Sequence, residues 1–174
     1  RGPGRAPFDA ASRELGELPV IAENLGVITE AVERLRTSLG YPGMVVLQFG
    51  FGSGDPRNVH TPVNHREDTV VYTGTHDNDT VLGWYSSLPA GVRLEVEQAI
   101  DAAGVREREP HWSLIRLAHA SPARVAMAQV QDVLGLGSEA RMNTPGRSAG
   151  AWKWRLDRLP GRAVARRLRE VTQA

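Results

Sequence analysis

The 174 residues include no cysteine, which excludes disulfides and thiolate metal sites and favours a cytosolic setting. No apolar run approaches the roughly 20 residues that a membrane-spanning helix requires, so no membrane partner is expected. Net charge is nearly absent: 21 Lys and Arg against 20 Asp and Glu leave +1, and no global field draws the chain towards nucleic acid. The charge is uneven near the C-terminus, where Arg158, Arg162, Arg166, Arg167 and Arg169 fall in a stretch without an acid. At helical spacing this reads as a solvated helix face rather than a basic binding patch. No Gly-rich phosphate loop follows any apolar run. Gly50-Phe51-Gly52-Ser53-Gly54 lacks the spacing and leads into Asp55-Pro56, so it reads as a loop. No initiator Met or apolar signal core opens the chain, and Arg1-Gly2-Pro3-Gly4-Arg5 is expected to be a cut inside a longer protein.

What is present is the composition of one ordinary soluble domain, 41% hydrophobic and 24% charged. Four short apolar runs, 18–22, 44–49, 69–72 and 124–130, are bounded by turn residues. The first three are near-continuous rather than alternating, as strands covered on both faces should be. Between them lie helical patterns. Thr29 is expected to cap a helix with Val32, Leu35 and Leu39 on one face, stopped by Gly40. Others are expected at 12–15, 79–86, 91–103, 111–120 and 161–172, the last with Val164, Leu168 and Val171 on one face. Strands alternating with helices predict parallel βα units. Four such units are half of a (β/α)8 TIM barrel, the alternative being a small doubly wound sheet.

In a barrel, residues at the C-terminal ends of strands line the active site. The first run ends at Glu23, and a carboxylate directly after an apolar run is costly to bury unless something uses it. Pairing with an arginine or capping nearby backbone is the plainer reading. The third run leads into Thr73-Gly74-Thr75-His76-Asp77-Asn78-Asp79. That cluster either holds a divalent metal, with His60 and His65 as further ligands, or binds a polyhydroxylated substrate while Asp79 caps the next helix. The spacing carries no metal signature. At the second strand end the ring of Phe49 suits a sugar face or a core position. Two acids at the mouths of different strands fit a glycosidic site. Acetal cleavage needs one protonated carboxyl for the leaving oxygen and negative charge near the anomeric centre.

Several longer motifs then fall in order. They are Leu18-Pro19-Val20-Ile21-Ala22-Glu23-Asn24-Leu25-Gly26, Gly40-Tyr41-Pro42-Gly43, Tyr72-Thr73-Gly74-Thr75-His76-Asp77-Asn78-Asp79-Thr80, Gln131-Asp132-Val133-Leu134-Gly135-Leu136-Gly137, Arg141-Met142-Asn143-Thr144-Pro145-Gly146 and Trp152-Lys153-Trp154-Arg155. Together they resemble the amylomaltases, the 4-α-glucanotransferases also called disproportionating enzyme. The resemblance runs from about Phe8 to the C-terminus. It implies a retaining TIM-barrel α-glucan enzyme related to the α-amylases, working on maltooligosaccharide donors and acceptors without a cofactor or a metal. It implies Glu23 as general acid/base, Asp77 as the stabiliser of the transition state and His76 as a substrate-binding neighbour. Asn143 and Pro145 fall in a loop the family places near the glucan, and Phe49 matches an aromatic near the acceptor side. Trp152 and Trp154 are expected to be packing residues.

The chain departs from the family pattern at Asn24, where Asp is usual. The nucleophilic aspartate of the family lies on the strand before the one carrying Glu23, and none of the residues ahead of Glu23 resembles that strand. Residues 1–174 are therefore expected to form the C-terminal part of one TIM-barrel catalytic domain, inactive alone. An α-glucan hydrolase and a non-catalytic glucan-binding remnant are the alternatives.

Overall fold

The computed structural model describes residues 2–147 and 149–173. Three parallel strands, β1 (Gly43–Val46), β2 (Thr69–Tyr72) and β3 (Val125–Met127), form a sheet in that order. The register pairs Val45 with Val71 and Val71 with Ala126, and one residue further on it pairs Val46 with Tyr72 and Tyr72 with Met127. Because side chains alternate across a strand, these two rows face opposite sides of the sheet. The Val45, Val71, Ala126 row packs into the core. Among the described residues there are seven α-helices: α1 (Ala6–Leu15), α2 (Glu30–Ser38), α3 (Val81–Ser87), α4 (Ala90–Ala102), α5 (Pro110–His119), α6 (Val130–Val133) and α7 (Arg162–Thr172). Helices α4 and α5 supply Val96, Ile100, Leu114 and Leu117 against the core row. A second cluster joins Trp112 and Ile115 of α5 to Val133 and Val171, with the expected α7 face of Val164 and Leu168 packed against it. The opposite side is buried at Met44, Val46 and Val70 and less covered at β3. Val125 and Met127 stay 41% and 39% exposed, so this face of the sheet opens towards the site.

The first expected strand is corrected. Residues 18–22 form no strand and lie outside the ladder, with a tight turn closed by the Val20 N–H on the Leu18 carbonyl (2.9 Å), and Ile21 is 40% exposed. One backbone bond, from the Ala22 N–H to the Pro42 carbonyl (2.8 Å), ties the run to the chain ahead of β1. The next ladder position is taken by a side chain: the Met44 N–H donates to Asn24 Oδ1 at 2.8 Å. A side-chain amide cannot propagate a backbone ladder, and pairing stops there. The fourth expected strand shortens to β3, an edge among the described residues.

Helix α2 begins where Thr29 predicts, its hydroxyl accepting from the Val32 N–H. Its expected apolar face is not what it buries, since Val32 stays 48% exposed and the buried residue is Arg36. That guanidinium donates to Glu33, to the Tyr41 carbonyl (2.6 Å) and to Asp68 (2.9 Å), pinning the helix to the entries of β1 and β2. A buried charge so fully bonded is a better anchor than a short apolar stripe. Among the arginines of the C-terminal stretch, Arg167 is committed to packing, with its guanidinium 4.6 Å from the Trp112 ring and 2.8 Å from Glu109.

Candidate active site

A cavity of about 850 Å³ opens over the C-terminal ends of the strands, walled by Glu23, Phe49, His76, Asp77 and Pro145 among others. Five of the six candidate residues therefore share one wall. The sixth, Asn143, sits behind it and donates from Nδ2 to Asp77 Oδ1 at 2.5 Å. Asp77 is 46% and His76 57% exposed at the side chain, and their facing atoms lie 3.3 Å apart. Phe49 is 45% exposed with its ring edge-on to His60, so it belongs to the site rather than to the core.

The loop between β2 and α3 carries His76 and Asp77, and its shape follows from local bonds. Asn78 Oδ1 accepts from both the N–H and the hydroxyl of Thr75 (2.8 and 2.9 Å), and the Thr75 hydroxyl accepts from the Asp77 N–H. Asn and Thr make such side-chain turns in place of regular structure. Gly74 lets Gln48 pass: a Cβ there would stand 2.6 Å from Gln48 Nε2, which donates to the Asp79 carbonyl. Both ends of the loop are gripped by Asp132. This buried carboxylate accepts from the Thr73 hydroxyl (2.6 Å) and from the Val81 N–H (2.8 Å) at the start of α3. Burial raises its pKa, and those hydrogen bonds partly offset the shift. From the far side, Arg141 donates to the Asp77 carbonyl (2.7 Å) and the Asn143 N–H donates to the His76 carbonyl (3.0 Å).

Asp79 does not cap α3, contrary to expectation. Thr80 takes that place, accepting from the Gly83 N–H, while Asp79 accepts from the Ser138 hydroxyl at 2.6 Å. The histidines proposed as extra metal ligands are committed elsewhere. His60 Nδ1 accepts from the Val46 N–H, and His65 lies between Ser121 Oγ (2.7 Å) and the His60 carbonyl (2.9 Å). Among the described residues no three His, Cys, Asp or Glu side chains are placed to hold a metal ion.

Glu23 follows the irregular run tied to Pro42 just ahead of β1. Its neighbour Asn24 fixes that run: Oδ1 takes the Met44 N–H, and Nδ2 reaches Glu33 at 3.4 Å. This seat requires an acceptor on one side and a donor on the other. Asparagine provides both, whereas an aspartate would face the Glu33 carboxylate. Sequence reasoning missed Tyr72, Met127 and Gln129, which line the cavity from the ends of β2 and β3. Tyr72 was recoverable as the last residue of its run. Its phenol pKa is raised by burial and then by the charge of Glu23, which keeps a neutral O–H beside that carboxylate. Arg141 and Asp132 gave no signal beyond their place in motifs.

Residues 1–160 match the family described as 4-alpha-glucanotransferase. The chloroplastic/amyloplastic 4-alpha-glucanotransferase of Arabidopsis thaliana is 49% identical over 155 residues, which cover 89% of this chain and 26% of that protein. The 4-alpha-glucanotransferase of Thermus thermophilus is 48% identical over 166 residues, covering 92% of this chain and 33% of its own length. In three dimensions the chain is similar to an amylomaltase from Streptococcus agalactiae solved in complex with acarbose. The TM-score is 0.88 at 33% identity, over 98% of this chain and 34% of that one. The chain thus spans about a quarter to a third of the relatives it matches. With the match running over most of its residues, the chain belongs to the 4-alpha-glucanotransferase family.

Proposed function

We propose that these residues are the C-terminal half of a (β/α)8 catalytic barrel, carrying the acid/base and the transition-state stabiliser of an enzyme that transfers α-1,4-glucan segments between maltooligosaccharides. One observation carries the reading: Glu23 and Asp77, far apart in sequence, meet on the wall of one cavity with His76, Phe49 and Pro145. The cysteine-free composition suits a reducing compartment, the cytosol in the simplest case.

Retention of configuration takes two displacements. In the first, a nucleophilic carboxylate bonds to the anomeric carbon, the bond from that carbon to the glycosidic oxygen breaks, and Glu23 gives its proton to the departing oxygen. In the second, Glu23 as carboxylate takes the proton of an acceptor 4-hydroxyl. That oxygen displaces the enzyme carboxylate and closes a new α-1,4 bond. Asp77, fixed by Asn143 and by the bonds of its own loop, bears charge towards the oxocarbenium-like centre and accepts from sugar hydroxyls. His76 binds the sugar beside it, Asn143 holds Asp77 from behind the wall, and Phe49 offers a ring on the acceptor side. No step uses a cofactor. Among the described residues walling the cavity, Glu23 and Asp77 are the acids, and the family resemblance assigns the nucleophile to an aspartate on the strand before the one carrying Glu23.

The test uses the full-length protein with maltotriose, followed as an oligosaccharide ladder. Wild type produces shorter and longer maltooligosaccharides, and Glu23→Gln and Asp77→Asn each lower kcat/KM by about a thousandfold. Wild-type rates in either variant would remove that residue's role. Glucose release without longer products would make water the acceptor and the protein a hydrolase.

A further inference from the structure

Trp152 is the one non-glycine residue with positive φ among the described residues, at 62°. A side chain with a Cβ strains the backbone there, and such strain persists only where surrounding structure holds it. Here both backbone groups of Trp152 are engaged: its N–H donates to the Met142 carbonyl at 2.7 Å, and its carbonyl accepts from Arg155 Nη1 at 2.8 Å. What this conformation achieves is visible in the side chain. The indole stays 53% exposed and lies across His76, with ring centroids 5.0 Å apart and planes at 39°. Trp112, by contrast, is 4% exposed in the core. A large apolar ring held in water beside a residue that walls the cavity is not the packing residue its motif suggests.

We propose that Trp152 is a sugar-binding platform at the rim of the cavity, taking one glucose unit of an α-1,4-glucan on the indole face turned away from His76. The assignment rests on the glucan reading of the cavity. A pyranose presents C–H groups on one face and hydroxyls at its edges. The C–H face stacks on the electron-rich indole while the hydroxyls remain in water or reach His76. The platform lies outside the cavity wall, so it adds contact for a glucan long enough to leave the cavity and adds nothing for a short one. A residue that merely orients His76 would act on every ligand alike.

Binding is measured by calorimetry on the full-length protein in a Glu23→Gln background, which stops turnover, with maltose and maltoheptaose as probes. Trp152→Ala weakens maltoheptaose by about tenfold and maltose by less than about twofold, and Trp152→Phe restores most of the loss. Trp152→Gly suits the positive φ, so it keeps the melting temperature at or above that of Trp152→Ala while binding maltoheptaose as poorly. Equal losses for the two sugars, or no loss, would overturn the platform and leave the cavity reading intact. A parent protein that binds neither sugar would overturn the glucan reading and the platform with it.

Discussion

Asp132 illustrates how a residue outside the cavity governs those inside it. Its carboxylate holds the loop of His76 and Asp77 at both ends, through Thr73 and through the Val81 N–H. Trading it for alanine strands two buried donors, and Asp132→Ala is expected to cost about 2–4 kcal/mol in urea unfolding. Its titration has a definite sign. Because burial raises the folded pKa above the ordinary aspartate value, the native state holds a proton that the unfolded chain has lost. Stability therefore falls as pH rises from that ordinary value to the raised one, and Asp132→Asn should flatten that part of the profile. Glu23 stood out in the sequence because it follows an apolar run directly, and His76 and Asp77 because they lie a few positions beyond another. Asp132 was not, because its partners lie 59 and 51 positions away and no local pattern encodes them.

At the scale of elements, the run at 69–72 read correctly and the run at 44–49 only in part: β1 ends at Val46, and Leu47–Gly50, with Phe49, turns into a short 3-10 helix, while both faces of β1 and most of β2 are buried. The first run failed as a strand although its residues look the same. A strand is completed by a neighbouring backbone, and here Asn24 occupies the site where a carbonyl would continue the ladder. Helix α2 was placed correctly by its Thr29 cap, while its buried face turned on Arg36, whose partners come from three separate segments. The connection between β1 and β2, which backs Phe49, depends on neutral histidines. Burial lowers the pKa of both His60 and His65, and protonated Nδ1 of His60 could no longer accept from the Val46 N–H. With folded values below the ordinary histidine value of about 6.5, stability should fall as pH drops beneath it. His60→Asn keeps an acceptor without titrating, so urea midpoints at pH 7.5 and 5.5 should differ less for the variant than for wild type.

Across the whole molecule, the sheet has one row of side chains in a helix-covered core, and its opposite side is buried on β1 and at Val70 but open at β3. Val125 and Met127 of β3 are exposed on that open part, and a single backbone bond, from Ala22 to Pro42, ties residues 18–22 to the chain ahead of β1. Bare strand edges beside exposed apolar side chains favour pairing with another chain. These 174 residues made alone are therefore expected to elute as oligomers in size-exclusion chromatography with light scattering. Supplying the remainder of the protein should return a single species, and a stable monomer of the segment by itself would contradict the half-barrel. The sequence by itself determined the parallel strand order, the Thr29 cap of α2 and the carboxylates that follow apolar runs, because apolar runs and turn residues act over a few positions. Only the tertiary structure decided that Glu23 and Asp77 share a cavity, that Asp132 grips the loop between β2 and α3, and that Trp152 stands exposed against His76. Those outcomes depend on contacts between segments distant along the chain, where geometry rather than local preference selects the partner.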